Sequence, residues 1–220
     1  MSRRLPIFAL DVVLFPGAPL PLHIFESRYR QMIIDCLAGD ERFGIVVPGP
    51  DGAVAAGAVG CMAHIRARQS LSDGRSNIVV SGESRFLLRG MLTGDTPYPV
   101  ATIDEFEDDP ALPTTDEIEV VRRRADRYRE ALRVLTDSPS GQPPWDTDPV
   151  AFSFEIAALL EVPLEMKQSL LETRSTPRRF ELLRELLDTL TEAVTASAEV
   201  HAHSRTNGKG APHFDIEPAP

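Results

Sequence analysis

Residues 14–32, LFPGAPLPLHIFESRYRQM, open as an apolar extended run, break at Pro16-Gly17 and end in a charged helix start. Pro16-Gly17 suits the centre of a type II turn, because proline presets φ and glycine accepts the positive φ that follows. Pro19 and Pro21 bring no amide hydrogen to a ladder, so APLPL is expected to run extended over the edge or end of a sheet. Leu20, Leu22, Ile24 and Phe25 must still bury, and a strap packed across the mouth of a curved sheet would bury them. Beyond Ser27 as N-cap, Tyr29, Met32, Ile33, Cys36 and Leu37 recur at helical spacing, with Gly39 as the left-handed stop.

Around this segment the chain reads as short strands. FALDVVLF (8–15) alternates, FGIVV (43–47) is a second candidate, and AVGCMAHIRAR (58–68) places Val59, Cys61, Ala63, Ile65 and Ala67 inward. SDGR (72–75) marks a hairpin into NIVVSG, since Asp-Gly tolerates the positive φ of tight turns. SRFLLRGML (84–92) and PVATIDEF (99–106) complete the set. Composition changes across EDDPALPTTD (107–116), after which the periodicity is helical: Ile118, Val121, Ala125, Tyr128, Leu132 and Leu135 form one stripe. Asp148-Pro149 caps a second helix, Pro163 and Thr176-Pro177 open two more, and short connections suggest a bundle. The expected divisions are a β-rich unit over 1–109, helices over 116–200, and a disordered tail over 201–220.

The charge is unevenly placed. Of a net −10, residues 1–100 carry 10 Arg against 9 acids, whereas residues 101–220 carry 13 Lys and Arg against 24 acids. That acidity repels phosphate backbones, so no nucleic-acid partner is expected. No apolar run approaches the roughly 20 residues of a bilayer span, so no membrane partner is expected either. Cys36 and Cys61 both fall at inward positions and read as small core hydrophobes. Asp11 and the prolines interrupt what would otherwise resemble a signal sequence after Arg3-Arg4, and a cytoplasmic location is expected.

Catalytic patterns are missing. GKG (208–210) lacks the glycine and Ser/Thr of a P-loop, and there is no G-x-S-x-G, H-E-x-x-H or C-x-x-C. Lys167 and Lys209 are the only lysines, neither beside a glycine-rich serine turn, which disfavours a Ser-Lys pair. His201, His203 and His213 read as chance histidines of the tail, and His64 as a surface or packing residue. The acids at 104, 105, 107, 108 and 109 lack the spacing of a hard-cation loop and read as a solvated linker. No metal, cofactor or catalytic residue is expected.

The whole pattern is more specific than its parts. Leu14-Phe15-Pro16-Gly17, Leu20-Pro21-Leu22, Phe25-Glu26 with Arg28-Tyr29, the Asp73-Gly74 hairpin, and Gly82 followed by Arg85-Phe86 together resemble the N-terminal, substrate-binding domain of the Lon protease family. The resemblance spans most of residues 5–195. It implies an α+β fold, a PUA-like β pseudo-barrel with one inserted helix followed by a C-terminal α-helical bundle. It also implies a stand-alone module without the ATPase and protease domains, and hence no enzymatic activity. The implied partner is an unfolded or partly exposed polypeptide segment, or a partner protein. Phe15, Pro16, Leu20, Leu22, His23 and Phe25 are the expected groove residues, with Arg66, Arg85 and Arg89 as its polar rim. A small-molecule sensor or enzyme, using a pocket between barrel and bundle, is the alternative.

Overall fold

The computed structural model describes residues 3–207 apart from 137, 139, 140 and 142, with backbone alone from 199 onward. Among the described residues there are six strands: β1 (Arg3–Ala9), β2 (Pro19–Ile24), β3 (Arg42–Val46), β4 (Val59–Ser70), β5 (Ser76–Leu92) and β6 (Val100–Glu105). Five helices accompany them: α1 (Ser27–Leu37), α2 (Thr115–Leu135), α3 (Pro149–Leu159), α4 (Leu164–Glu172) and α5 (Thr176–Asn207). The fold is α+β with a mixed sheet.

β5 organises the sheet. The strand order is β2-β5-β4-β3-β1-β6, and β5 also pairs with β6, so the ladder returns on itself. All pairings are antiparallel except β1 with β3. Along one edge of β5, Ser76–Ser81 hold β2 and Phe86–Leu92 hold β6, while β4 follows the opposite edge. The exchange of neighbours falls at Gly82, which bridges Pro16. A Cβ at Gly82 would collide with the Phe15 carbonyl, so this crossing needs glycine. Inside the closed ladder Phe86 packs with Leu5, Ile7, Val46, Leu88, Ala101 and Ile103. Its ring lies over Gly44 and Gly60; a Cβ at Gly44 would sit 2.7 Å from it.

Several local expectations hold for physical reasons. Gly17 has φ +79° and Ala18 N–H donates to Phe15 O at 3.1 Å, closing the Pro16-Gly17 turn. Gly74, φ +81°, turns β4 into β5. Asp148 caps α3 through Ala151 N–H, and Pro149 occupies its first turn. Thr114 and Glu117 form a reciprocal capping box on α2. The two long helices run parallel, since Asp116 and Glu117 lie beside Pro177 and Glu181 while Arg124 reaches Asp188 at 2.8 Å.

Other expectations are corrected. Residues 8–15 are not a strand: β1 ends at Ala9, and residues 10–15 run irregularly, with Val13, Leu14 and Phe15 buried between sheet and helices. The proline segment is itself strand β2, at the edge where missing amide donors are tolerated. NIVVSG and SRFLLRGML are one strand. A bulge between Ile65 and Ala67 turns Ala67 outward. The left-handed residue after α1 is Glu41, φ 60°, rather than Gly39. Helix α5 passes the expected boundary at residue 200 and ends at Asn207, because TASAEVHAHSRTN contains no glycine or proline to stop it. Residues 208–220 of the expected tail lie outside the described residues.

Sheet and helices share one core. Val13, Phe15 and Val59 pack with Tyr128, Phe152, Phe154, Ile156, Phe180 and Leu183, the Phe15 and Phe154 rings lying 6.1 Å apart. Beside this core sits a buried charge cluster. Arg85 Nη2 donates to Asp108 Oδ2 at 2.9 Å, and Arg179 Nη1 pairs with Asp108 Oδ1 at 2.8 Å, with the two guanidinium side chains 2% and 0% exposed. The surplus positive charge is met by main-chain carbonyls at the end of α4: Arg85 donates to Leu171 O and Thr173 O, and Arg179 to Thr173 O. The acidic 104–109 run is therefore not a solvated linker, since Asp108 is the counter-ion that joins the halves. Asp108→Ala is expected to cost about 3–5 kcal/mol by leaving two buried cations uncompensated; urea unfolding of the two proteins measures it.

Candidate functional site

The ladder register fixes which side chains share a face. On β2, β5 and β4, Leu20, Leu22, Ile24, Ile78, Val80 and Ile65 pack toward α1, so their alternates point outward. The outward rows are Pro19 with Ser81, Pro21 with Val79 and Ala67, and His23 with Asn77 and Gln69. Pro21, His23, Ala67, Arg68, Gln69 and Val79 line a shallow hollow of about 470 Å³. Val79 is 40% exposed at its centre and Phe25, 61% exposed, stacks beside His23 with ring centroids 6.1 Å apart. His23 Nδ1 donates to Asn77 Oδ1 at 2.7 Å, and Asn77 Nδ2 donates to Gln69 Oε1 at 3.3 Å, which fixes this polar row across three strands.

At its Pro19 end, β2 borders a second hollow of about 250 Å³, closed by Pro143, Pro144, Trp145, Ala158 and Leu159. Its polar side chains are engaged internally: Arg129 lies 4.0 Å from the Trp145 ring and donates to Pro143 O and Asp126, and Trp145 Nε1 donates to Asp126. The hollow thus offers carbon surface above all. The two hollows lie along β2, one beside Pro21 and His23 and the other at Pro19.

The expected groove residues separate. His23 and Phe25 lie on the outer face. Leu20 and Leu22 are half-buried on the α1 side and Pro16 is half-buried at the crossing with Gly82. Phe15, 1% exposed, is core, and Arg85 is the interior clamp rather than a rim residue, because both face the helices. Arg66 borders the face, with Nε donating to Ser81 Oγ at 2.6 Å. Arg89 lies elsewhere, donating to Asp104 at 2.6 Å on the β6 side. Sequence reasoning missed Pro21, Val79, Ala67 and Trp145 as a group. Alternation of Asn77, Val79 and Ser81 against Ile78 and Val80 was an available signal, as was a lone tryptophan in a proline-rich loop.

Both cysteines are buried. Burial pushes the Cys36 and Cys61 thiols up to about 12. His64 lies between carboxylates, 2.8 Å from Glu83 and 3.5 Å from Glu41, and Arg42 holds the same Glu83 at 2.7 Å. Among the described residues no group of three His, Cys, Asp or Glu is placed to hold a metal ion.

Residues 4–189 match the family description "ATP-dependent protease La (LON) substrate-binding domain". The chain belongs to the LON substrate-binding domain family. It is 28% identical over 210 residues to Lon protease 2 of Myxococcus xanthus, a match covering 91% of this chain and 25% of that protein. Lon protease of Anaeromyxobacter dehalogenans is 26% identical over 205 residues, 89% of this chain and 24% of its own. The chain thus spans about a quarter of the Lon proteases it matches. The crystal structure of a Lon N-terminal domain protein from Xanthomonas campestris superposes with TM-score 0.63 at 26% identity, covering 82% of this chain and 96% of that one. The N-terminal domain of Mycobacterium avium complex Lon protease, at 19% identity and TM-score 0.62, shares the fold. No helix among the described residues is long and apolar enough to cross a membrane.

The hydrogen bond from Arg42 holds the Glu83 carboxyl below the usual carboxylate range, opposed by desolvation and helped by His64. A depressed folded-state value contributes stability that is present above about pH 4.3 and lost as pH falls through the folded value. Glu83→Gln should therefore flatten the acid limb of the stability curve, read as urea midpoints from pH 6 down to about pH 3.

Proposed function

We propose that this LON-domain chain is a non-catalytic module that binds exposed polypeptide segments along the outer face of β2, β5 and β4. The observation that carries this reading is the row Pro21–Val79–Ala67, apolar and uncovered, with Phe25 beside His23 at one end of β2 and the Trp145 hollow at the other. The family's substrate-binding description supports it. In this reading the closed ladder is a PUA-like pseudo-barrel over 1–109, the helices after residue 116 form a bundle behind it, and the module works in the cytoplasm. The acidity of residues 101–220 favours a polypeptide over a nucleic acid.

The energetics fit loose capture. Drying roughly 200 Å² of apolar surface yields about 5 kcal/mol at 25 cal/mol per Å². Association and side-chain ordering cost a comparable amount, so one contact binds weakly and several are needed. Prolines at 19 and 21 leave the outer edge of β2 short of amide donors, which favours binding across the face over strand addition.

Val79→Glu places a charge in the middle of the face without touching the core. It should lower affinity for a permanently unfolded, fluorescently labelled protein about tenfold or more while leaving the melting temperature near that of the parent. Unchanged capture by Val79→Glu would overturn the reading. Phe15→Ala, in contrast, should cost about 3–5 kcal/mol of stability, because Phe15 is core.

A further inference from the structure

The hollow beside Val79 is lopsided in charge. Its lining contains one charged side chain, Arg68, and no Asp or Glu. Arg68 is exposed, and among the described residues it forms no ion pair. Arg66 and Arg68 bracket Ala67, the β4 member of the apolar row.

Arg66 is also under-compensated. Its side chain is 53% exposed, it donates to Ser81 Oγ, and the carboxylate paired with it, that of Glu83, lies 3.7 Å away. Glu83 is held more closely by Arg42 at 2.7 Å and by His64 at 2.8 Å. At the β4–β5 turn Arg75 and Asp73 satisfy each other at 2.6 Å. Residues 66–81 therefore hold three Arg against one Asp, and β2 carries neither Asp, Glu, Lys nor Arg, in a chain whose net charge is −10. The polar row ends in another donor: Gln69 Oε1 accepts from Asn77, which leaves the Nε2 of this exposed residue to offer hydrogen atoms.

We propose that the outer face of β2, β5 and β4 selects acidic-apolar polypeptide segments, with an apolar side chain on Pro21, Val79 and Ala67 and neighbouring carboxylates on Arg66 and Arg68. The inference rests on the reading of this face as the polypeptide-binding surface, and adds the chemistry of what it prefers. A guanidinium offers a planar fork of donors that matches a carboxylate, and two such forks on either side of an apolar residue favour a segment in which acids and apolar residues alternate. The overall charge opposes this choice, since a chain of net −10 attracts basic peptides at long range. A preference for acids must therefore come from a local surface of opposite sign. The apolar row between the arginines favours a polypeptide over a phosphate backbone, which would leave that row uncovered.

The test uses the full chain and three fluorescein-labelled decapeptides with the same leucines and valines, interspersed with glutamate, glutamine or lysine. Anisotropy titrations should rank glutamate above glutamine above lysine, with glutamate about fivefold tighter than lysine at 50 mM NaCl and the gap narrowing at 300 mM, because exposed ion pairs contribute little each and are screened. The double variant Arg66→Gln, Arg68→Gln should lose the preference and bind the glutamine peptide as the parent does, whereas Arg66→Lys, Arg68→Lys should keep it. Val79→Ser, which alters no charge, should weaken all three peptides by a similar factor. If Val79→Ser leaves every affinity unchanged, the face is not the binding surface and both readings fall. If Val79→Ser weakens binding but the three peptides bind alike, or the glutamate preference survives in the double glutamine variant, the inference alone is overturned. An oligo(U) RNA bound more tightly than the glutamate peptide would assign the arginines to phosphate and overturn it as well.

Discussion

One carboxylate stands between two arginines that would otherwise be buried charges without a counter-ion. Asp108 neutralises part of Arg85, from the sheet, and part of Arg179, from α5. The remainder is spread over the carbonyls that end α4. Aromatic rings complete the enclosure: Phe154 lies 5.3 Å from the Arg85 guanidinium and 4.1 Å from that of Arg179. A buried ion pair is a poor source of net stability compared with apolar packing, because desolvation consumes most of the attraction. Its effect is on arrangement. Sheet, linker, α4 and α5 have to meet at one place for any of these charges to be tolerated, so the helices are held in one position against the strands.

That fixed position shapes the candidate surface. Phe15 packs into the helices beside the clamp, and the Pro16-Gly17 turn follows it directly, so the start of β2 is set by the same core. β2 then runs along β5, and its outward residues face away from α1. The Trp145 hollow forms only because the loop before α3 stands next to Pro19. A rigid face of this sort presents carbon atoms without having to order itself first, which limits the entropy lost when a flexible chain is held.

Much of the architecture was legible in the chain. Asp-Gly at the β4–β5 hairpin, Pro-Gly after Phe15 and Asp-Pro before α3 each dictate a local conformation, and each appears where the residues demanded. The α2 stripe and the stripe of α5 meet because both are apolar at helical spacing. The less legible features depend on partners distant in sequence. Arg85 looked like a surface cation because its partners are distant in sequence: its counter-ion lies 23 positions away and its other acceptors 86 and 88 away. The outer face was hidden for the same reason, since Pro21, Val79 and Ala67 become neighbours only once β2 and β4 flank β5. Residues 8–15 misled because alternation marks burial on two sides, and an irregular segment wedged between sheet and helices is buried on two sides as well.

The length of β5 gives the molecule a mechanical character. A polypeptide held across β2, β5 and β4 and drawn along the strand direction would load the β2–β5 and β4–β5 ladders in shear, with their hydrogen bonds lying across the pull. Bonds loaded in this way share the force and yield together, whereas a peeling load opens them one at a time. The same strand is gripped further along by β6 and, through Arg85, by the end of α4. Tension applied at the outer face would therefore pass to the ladder and the helices as a unit.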